Sequence, residues 1–200
     1  MIEPLRKRTL QSQLCLFVAV LCMVQFLASC GGEVSENKNA PVVAGQPNTS
    51  LPMPPVSGKS LGELGWQLAD GQRTLISDYK GRVLILDLYA TWCLPCRRSI
   101  PQLVELQRTY RDRGVSVVGL NVGGPEDWPK VAEFARQLKI QYTLAVPEDE
   151  LSELLLSDSQ EIPQTFVFDR QGNLVKRLIG FAESDAAEIK AAVETATQSN

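Results

Sequence analysis

Between residues 83 and 90 the chain reads Val-Leu-Ile-Leu-Asp-Leu-Tyr-Ala, an apolar run broken once, by Asp87. Such a run predicts a strand buried on both faces, as in the middle of a parallel sheet. Directly after it the period changes. Ile100, Leu103, Val104, Leu106 and Tyr110 recur every three to four residues, which predicts a helix over 97–113 with one buried face and Gly114 as its stop. Residues 115–121 predict the next strand, parallel to the first because a helix joins them. Residues 125–138 predict a helix with Trp128, Val131, Phe134, Ala135 and Leu138 on one face, 142–146 a short strand and 149–156 a short helix. Strands at 165–168 and 174–179 flank the turn residues Asp169-Arg170-Gln171-Gly172-Asn173, and a helix over 186–196 closes the chain. Upstream, Gly65-Trp66-Gln67-Leu68 and Arg73-Thr74-Leu75 enclose Asp70-Gly71, the signature of a hairpin, and residues 77–81 step into the central strand. Trp66 and Trp128 read as packing residues. The order ββ-β-α-β-α-β-α-β-β-α belongs to the α/β class.

The first 58 residues are patterned differently. Arg6-Lys7-Arg8 precedes an apolar run over 14–28, too short for a comfortable membrane span and containing Gln25. Leu27-Ala28-Ser29-Cys30 follows. Charged start, apolar centre and small-residue site together resemble a bacterial lipoprotein signal over 1–29. Cys30 is then lipidated and becomes the mature N-terminus, its acyl chains giving a stable anchor. The alternative is an uncleaved anchor helix with Cys30 as an incidental thiol just outside it. The stretch up to Gly58 is rich in Gly, Pro, Ser and Asn and reads as a flexible linker. The expected organisation is a signal over 1–29, a lipidated cysteine and linker over 30–58, and a domain over 59–200. Either reading places that domain outside the cytoplasm, beside a membrane.

Charge is nearly balanced, with 20 Lys and Arg against 23 Asp and Glu; removing residues 1–29 leaves 17 against 22. A basic patch is lacking, which argues against a nucleic-acid partner. The chain has five cysteines and no histidine. Cys15 and Cys22 sit in the apolar leader and read as small hydrophobes. Cys93-Leu94-Pro95-Cys96 stands where the central strand gives way to the helix. A thiol there meets free backbone N–H groups and the positive end of the helix dipole, so Cys93 should have a lowered pKa and act as nucleophile. Cys96, one turn further in, is near enough to bond to it. A zinc site needs four ligands, and too few are available. A purely structural disulfide stays open, although closing so short a loop removes little chain entropy. Beside a βαβ pattern, Cys-x-x-Cys reads as a dithiol–disulfide redox centre. No glycine-rich phosphate loop or ligand cluster appears, so no flavin, nucleotide or metal cofactor is implied.

Asp87 is the second informative residue. A buried, unpaired carboxylate is costly, so its pKa should be raised. The functional reading makes it the proton acceptor for Cys96. The alternative is a carboxylate facing a local hydroxyl or a lysine at the sheet margin.

Trp92-Cys93-Leu94-Pro95-Cys96, the strand before it and Pro101 after it resemble thioredoxin-fold proteins, and most of all the membrane-anchored thiol–disulfide oxidoreductases of the TlpA/ResA-like group, over roughly residues 59 to 197. The resemblance implies a thioredoxin-like fold: a central mixed sheet flanked by helices, with an N-terminal hairpin and a central strand–helix insertion. Asp87, six residues before the first cysteine, matches the buried Asp of thioredoxins. Ile162–Pro163 should be a cis bond facing the disulfide, leaving the Ile162 backbone open to pair with an extended substrate segment. Trp92 should form part of an apolar docking surface, with Thr91 and Leu94 at its border. Pro95 should favour reducing power, and Pro101 should kink the helix. Ser99 is a departure, because members related to cytochrome-maturation reductases commonly carry Glu there.

The reading is therefore a membrane-tethered, extracytoplasmic reductant of partner-protein disulfides, with apocytochrome c among the candidate partners. A membrane dithiol donor would re-reduce it. A disulfide oxidase or isomerase, a thiol peroxidase and a dithiol copper carrier are the rivals.

Overall fold

The computed structural model describes residues 58–199; the leader, Cys30 and the linker as far as residue 57 lie outside the described residues. The apolar run becomes β3 (Val83–Tyr89), buried along its whole length, and the helical period becomes α1 (Leu94–Tyr110). Before them stand β1 (Gly65–Gln67) and β2 (Arg73–Leu75), joined by a turn in which Gly71 takes φ 82°. After them come β4 (Val115–Asn121), α2 (Val131–Leu138), β5 (Thr143–Pro147), α3 (Asp149–Leu155), β6 (Gln164–Phe168), β7 (Leu174–Ile179) and α4 (Asp185–Gln198). The strands form one seven-stranded sheet in the order β2-β1-β5-β4-β3-β6-β7. β3, β4 and β5 run parallel, and the remaining pairings are antiparallel. This is the mixed sheet that the sequence predicts.

Alternation along β3 sorts the core into two layers. Leu84, Leu86 and Leu88 face Trp66, Leu151, Leu154, Phe166 and Phe168 on one side. Val83 and Ile85 face Leu103, Leu106 and Tyr110 of α1 and Ile189 and Val193 of α4 on the other. Burying a leucine or isoleucine side chain contributes about 1.5–3 kcal/mol, so the fully buried Ile100 and Leu103 seat α1 firmly on the sheet. Asp87 and Tyr89 share the α1 side by the same alternation.

One expectation needs correcting. The helix expected over 125–138 begins only at Val131, after a 3-10 turn at Trp128–Lys130. Pro129 has no N–H to give to an α-helical bond, the Lys130 N–H bonds the Asp127 carbonyl three residues back, and the Asp127 carboxylate is spent elsewhere, as described below. The helix runs through Pro101 as far as Tyr110. Trp66 is fully buried, whereas Trp128 is only half-buried. Among the described residues no helix is long and apolar enough to cross a membrane.

Candidate active site

The end of β3 and the start of α1 place the two cysteines. Cys93 is the N-cap of α1, with extended backbone (φ −77°, ψ 108°), and its Sγ accepts a hydrogen bond from the Cys96 N–H at 3.1 Å. The two sulfurs are joined as a disulfide, with Cα atoms 5.3 Å apart. Free N–H groups at this end of the helix are the donors that stabilise a thiolate once the bond is reduced. Cys93 retains 4% exposure and Cys96 none, so an incoming sulfur reaches Cys93 first. Around the pair pack Tyr89, Ala90, Ile100 and Phe134.

Asp87 is fully buried on the face of the sheet that carries α1. It stands between Gly119 of β4 and Thr165 of β6. The Thr165 hydroxyl donates to Oδ1 at 3.1 Å, while Oδ2 has no hydrogen-bond partner among the described residues. Burial therefore pushes the carboxyl up to about 7, against the pull of the Thr165 hydrogen bond. The carboxylate faces a hydroxyl, as one reading required, but from the middle of the sheet rather than its margin.

The third part lies opposite. The Ile162–Pro163 bond is cis, and the Ile162 carbonyl oxygen sits 3.8 Å from Cys93 Sγ. Trp92 and Leu94 flank Cys93 at 63% and 72% exposure, among the few large apolar side chains left open. The Ile162 carbonyl and the apolar rim thus meet at the disulfide, and Asp87 stands on the strand that leads into it. Among the described residues no group of three or more Cys, Asp or Glu could hold a metal ion.

Comparison with known proteins places this arrangement. The AhpC/TSA family matches residues 54–177. The chain belongs to the AhpC/TSA family. Two similar proteins are thiol-disulfide oxidoreductases ResA. That of Geobacillus thermodenitrificans is 29% identical over 56% of this chain and 62% of its own length, and that of Geobacillus kaustophilus 31% identical over 54% and 60%. The chain thus spans about three fifths of the length of the curated relatives it matches. A thiol:disulfide interchange protein of the thioredoxin family from Chlorobium tepidum TLS superposes with TM-score 0.59 at 28% identity, covering 69% of this chain and 96% of that one. The TlpA/ResA-like resemblance and the thioredoxin-like fold are borne out.

Within this AhpC/TSA domain, further polar side chains frame the site. Thr91, expected at the border of the docking surface, is instead 5% exposed and tied inward. Its N–H donates to Asp127 Oδ2 at 2.8 Å and its hydroxyl to Oδ1, while its carbonyl accepts from Arg97 Nε at 3.1 Å. Behind the cis-proline, buried Gln164 donates through Nε2 to the carbonyls of Ser159 and Glu161, at 2.9 and 2.8 Å. Its Oε1 accepts from Arg177, which also grips Asp158 through two contacts of 2.7 Å. Ser99 is buried and donates to its own helix, to the Cys96 carbonyl at 3.0 Å, so it brings no charge to the dithiol.

Proposed function

We propose that this AhpC/TSA-family protein is a thiol–disulfide oxidoreductase that reduces disulfides in extracytoplasmic partner proteins. The observation that carries the reading is the Cys93–Cys96 disulfide at the N-terminus of α1, with the Ile162 carbonyl against the outer sulfur. In the reduced form the Cys93 thiolate attacks one sulfur of a partner disulfide, and the other partner sulfur leaves as a thiolate. Asp87 takes the Cys96 proton. Cys96 then attacks Cys93 Sγ, the second partner thiolate departs, and Cys93–Cys96 is left oxidised. Two electrons have moved to the partner. Trp92 and Leu94 supply apolar contact, and the Ile162 backbone pairs with the partner's extended segment. A membrane dithiol donor restores the thiols, and a lipid on Cys30 holds the domain near that donor. Haem-attachment segments of cytochrome c are one partner class. No cofactor enters the cycle.

The test is the reduction potential of the Cys93–Cys96 pair, measured against dithiol buffers, together with trapping by Cys96→Ser. A potential below about −230 mV and a stable mixed disulfide in the variant support a reductant. A potential above about −150 mV reassigns the protein as a disulfide donor or isomerase. A pair that does not cycle ends the enzymatic reading.

A further inference from the structure

We infer that Asp127 is a positioning residue, whose carboxylate locks the Thr91–Trp92–Cys93 loop in the arrangement that presents Trp92 and the nucleophilic sulfur to a partner disulfide. The inference rests on the oxidoreductase reading and deepens it. Asp127 belongs neither to the helix of the cysteines nor to the cis-proline loop, but to the connection between β4 and α2. Its side chain is buried, at 1% exposure. Oδ2 accepts from the Thr91 N–H and from Asn121 Nδ2, both at 2.8 Å, and Oδ1 accepts from the Thr91 hydroxyl. Burial disfavours the charged form, but the hydrogen bonds from Thr91 and Asn121 outweigh it and hold the carboxyl below its ordinary pKa. An ionised carboxylate can accept from all three donors at once; an amide in its place could not.

The same loop is held from the other side. Arg97 donates to the Thr91 carbonyl, lies 4.9 Å over the Phe134 ring and reaches Gln137 Oε1 at 3.2 Å. Every polar group of Thr91 is therefore taken, and the next residue is the 63% exposed Trp92. The chain also makes room for the carboxylate. A Cβ at Gly123 would stand 2.4 Å from Asp127 Oδ2. A rim tryptophan on an unpinned loop would have to be ordered at each encounter, at the expense of binding. Pinning by Asp127 removes that cost before the partner arrives.

The competing reading is that Asp127 only satisfies buried donors and stabilises the fold. The two separate in steady-state reduction of insulin disulfides, corrected for the folded fraction by circular dichroism. Asp127→Asn should lower kcat/KM per folded molecule roughly ten- to hundredfold, mainly through KM. Thr91→Val, which leaves the backbone bond intact and serves if Asp127→Asn folds poorly, should give a smaller loss in the same direction. Combining the two should add little to Asp127→Asn alone, because the hydroxyl bond that Thr91→Val removes is among those that Asp127→Asn already weakens. Thr91→Ser, which keeps the hydroxyl, should restore the wild-type KM. Unchanged kcat and KM per folded molecule, or losses that add in full, overturn the inference. A wild-type protein that reduces no disulfide overturns the oxidoreductase reading and this inference with it, whereas a working wild type with unaffected variants overturns this inference alone.

Discussion

The environment of Asp87 makes a quantitative prediction about stability against pH. In the unfolded chain its carboxyl titrates at the ordinary value of 3.8, whereas in the folded protein burial holds it up to about 7. Below pH 3.8 both states carry the proton and Asp87 has no effect on the folding equilibrium. Between 3.8 and about 7 the unfolded state has lost the proton and the folded state keeps it, so stability falls as pH rises. Above about 7 both are ionised and the loss is complete. That interval, at about 1.36 kcal/mol per pH unit, amounts to about 4 kcal/mol. Asp87→Asn removes the titration while keeping the shape and an acceptor for the Thr165 hydroxyl. Relative to wild type it should gain about 4 kcal/mol between pH 4 and pH 8. Urea unfolding across that range reads the effect, with the disulfide intact so that no thiol titrates. Parallel stability curves for the two proteins would refute the argument. The same substitution should slow turnover by about a hundredfold at neutral pH, the usual cost of losing a positioned proton acceptor.

Two further outcomes follow from other parts of the molecule. Gln164→Leu strands the Ser159 and Glu161 carbonyls and takes an acceptor from Arg177. It should cost about 1–3 kcal/mol in urea unfolding and slow partner reduction, because those carbonyls precede Ile162 in the loop. Cys30→Ser should release the protein from the membrane fraction of cells that lipidate it; a protein still sedimenting with membranes would favour the uncleaved anchor instead.

The fold was legible wherever burial imposed a single period. β3 and β4 fall where the apolar patterns predict, because sheet and helix leave different spacings in sequence. The connection before α2 was misread for a physical reason. Trp128, Val131 and Phe134 carry a helical spacing, yet Pro129 and the inward-turned Asp127 impose a different backbone before Val131. The two cysteines were legible from their spacing where a strand gives way to a helix, and Asp87 because a carboxyl inside an apolar strand is costly. The cis bond at Pro163 came only from resemblance, since proline at a strand entrance is ordinarily an edge device.

Asp127, Gln164 and Arg177 belong to a different category. They are polar residues 31 or more positions from the nearest cysteine, and no local pattern sets them apart. Their work appears only when the sheet brings β4 and β6 to either side of β3. Asp127 then reaches the loop in front of Cys93, and Gln164 the loop behind it. In the proposed cycle the chemistry sits on the central strand and its helix, and the surfaces offered to a partner are set by side chains from the neighbouring strands and connections. Substitutions at those outlying positions should therefore alter partner preference before they alter the thiols. The same constellation of cysteines, carboxyl and cis-proline can then serve different disulfides through the residues that frame it.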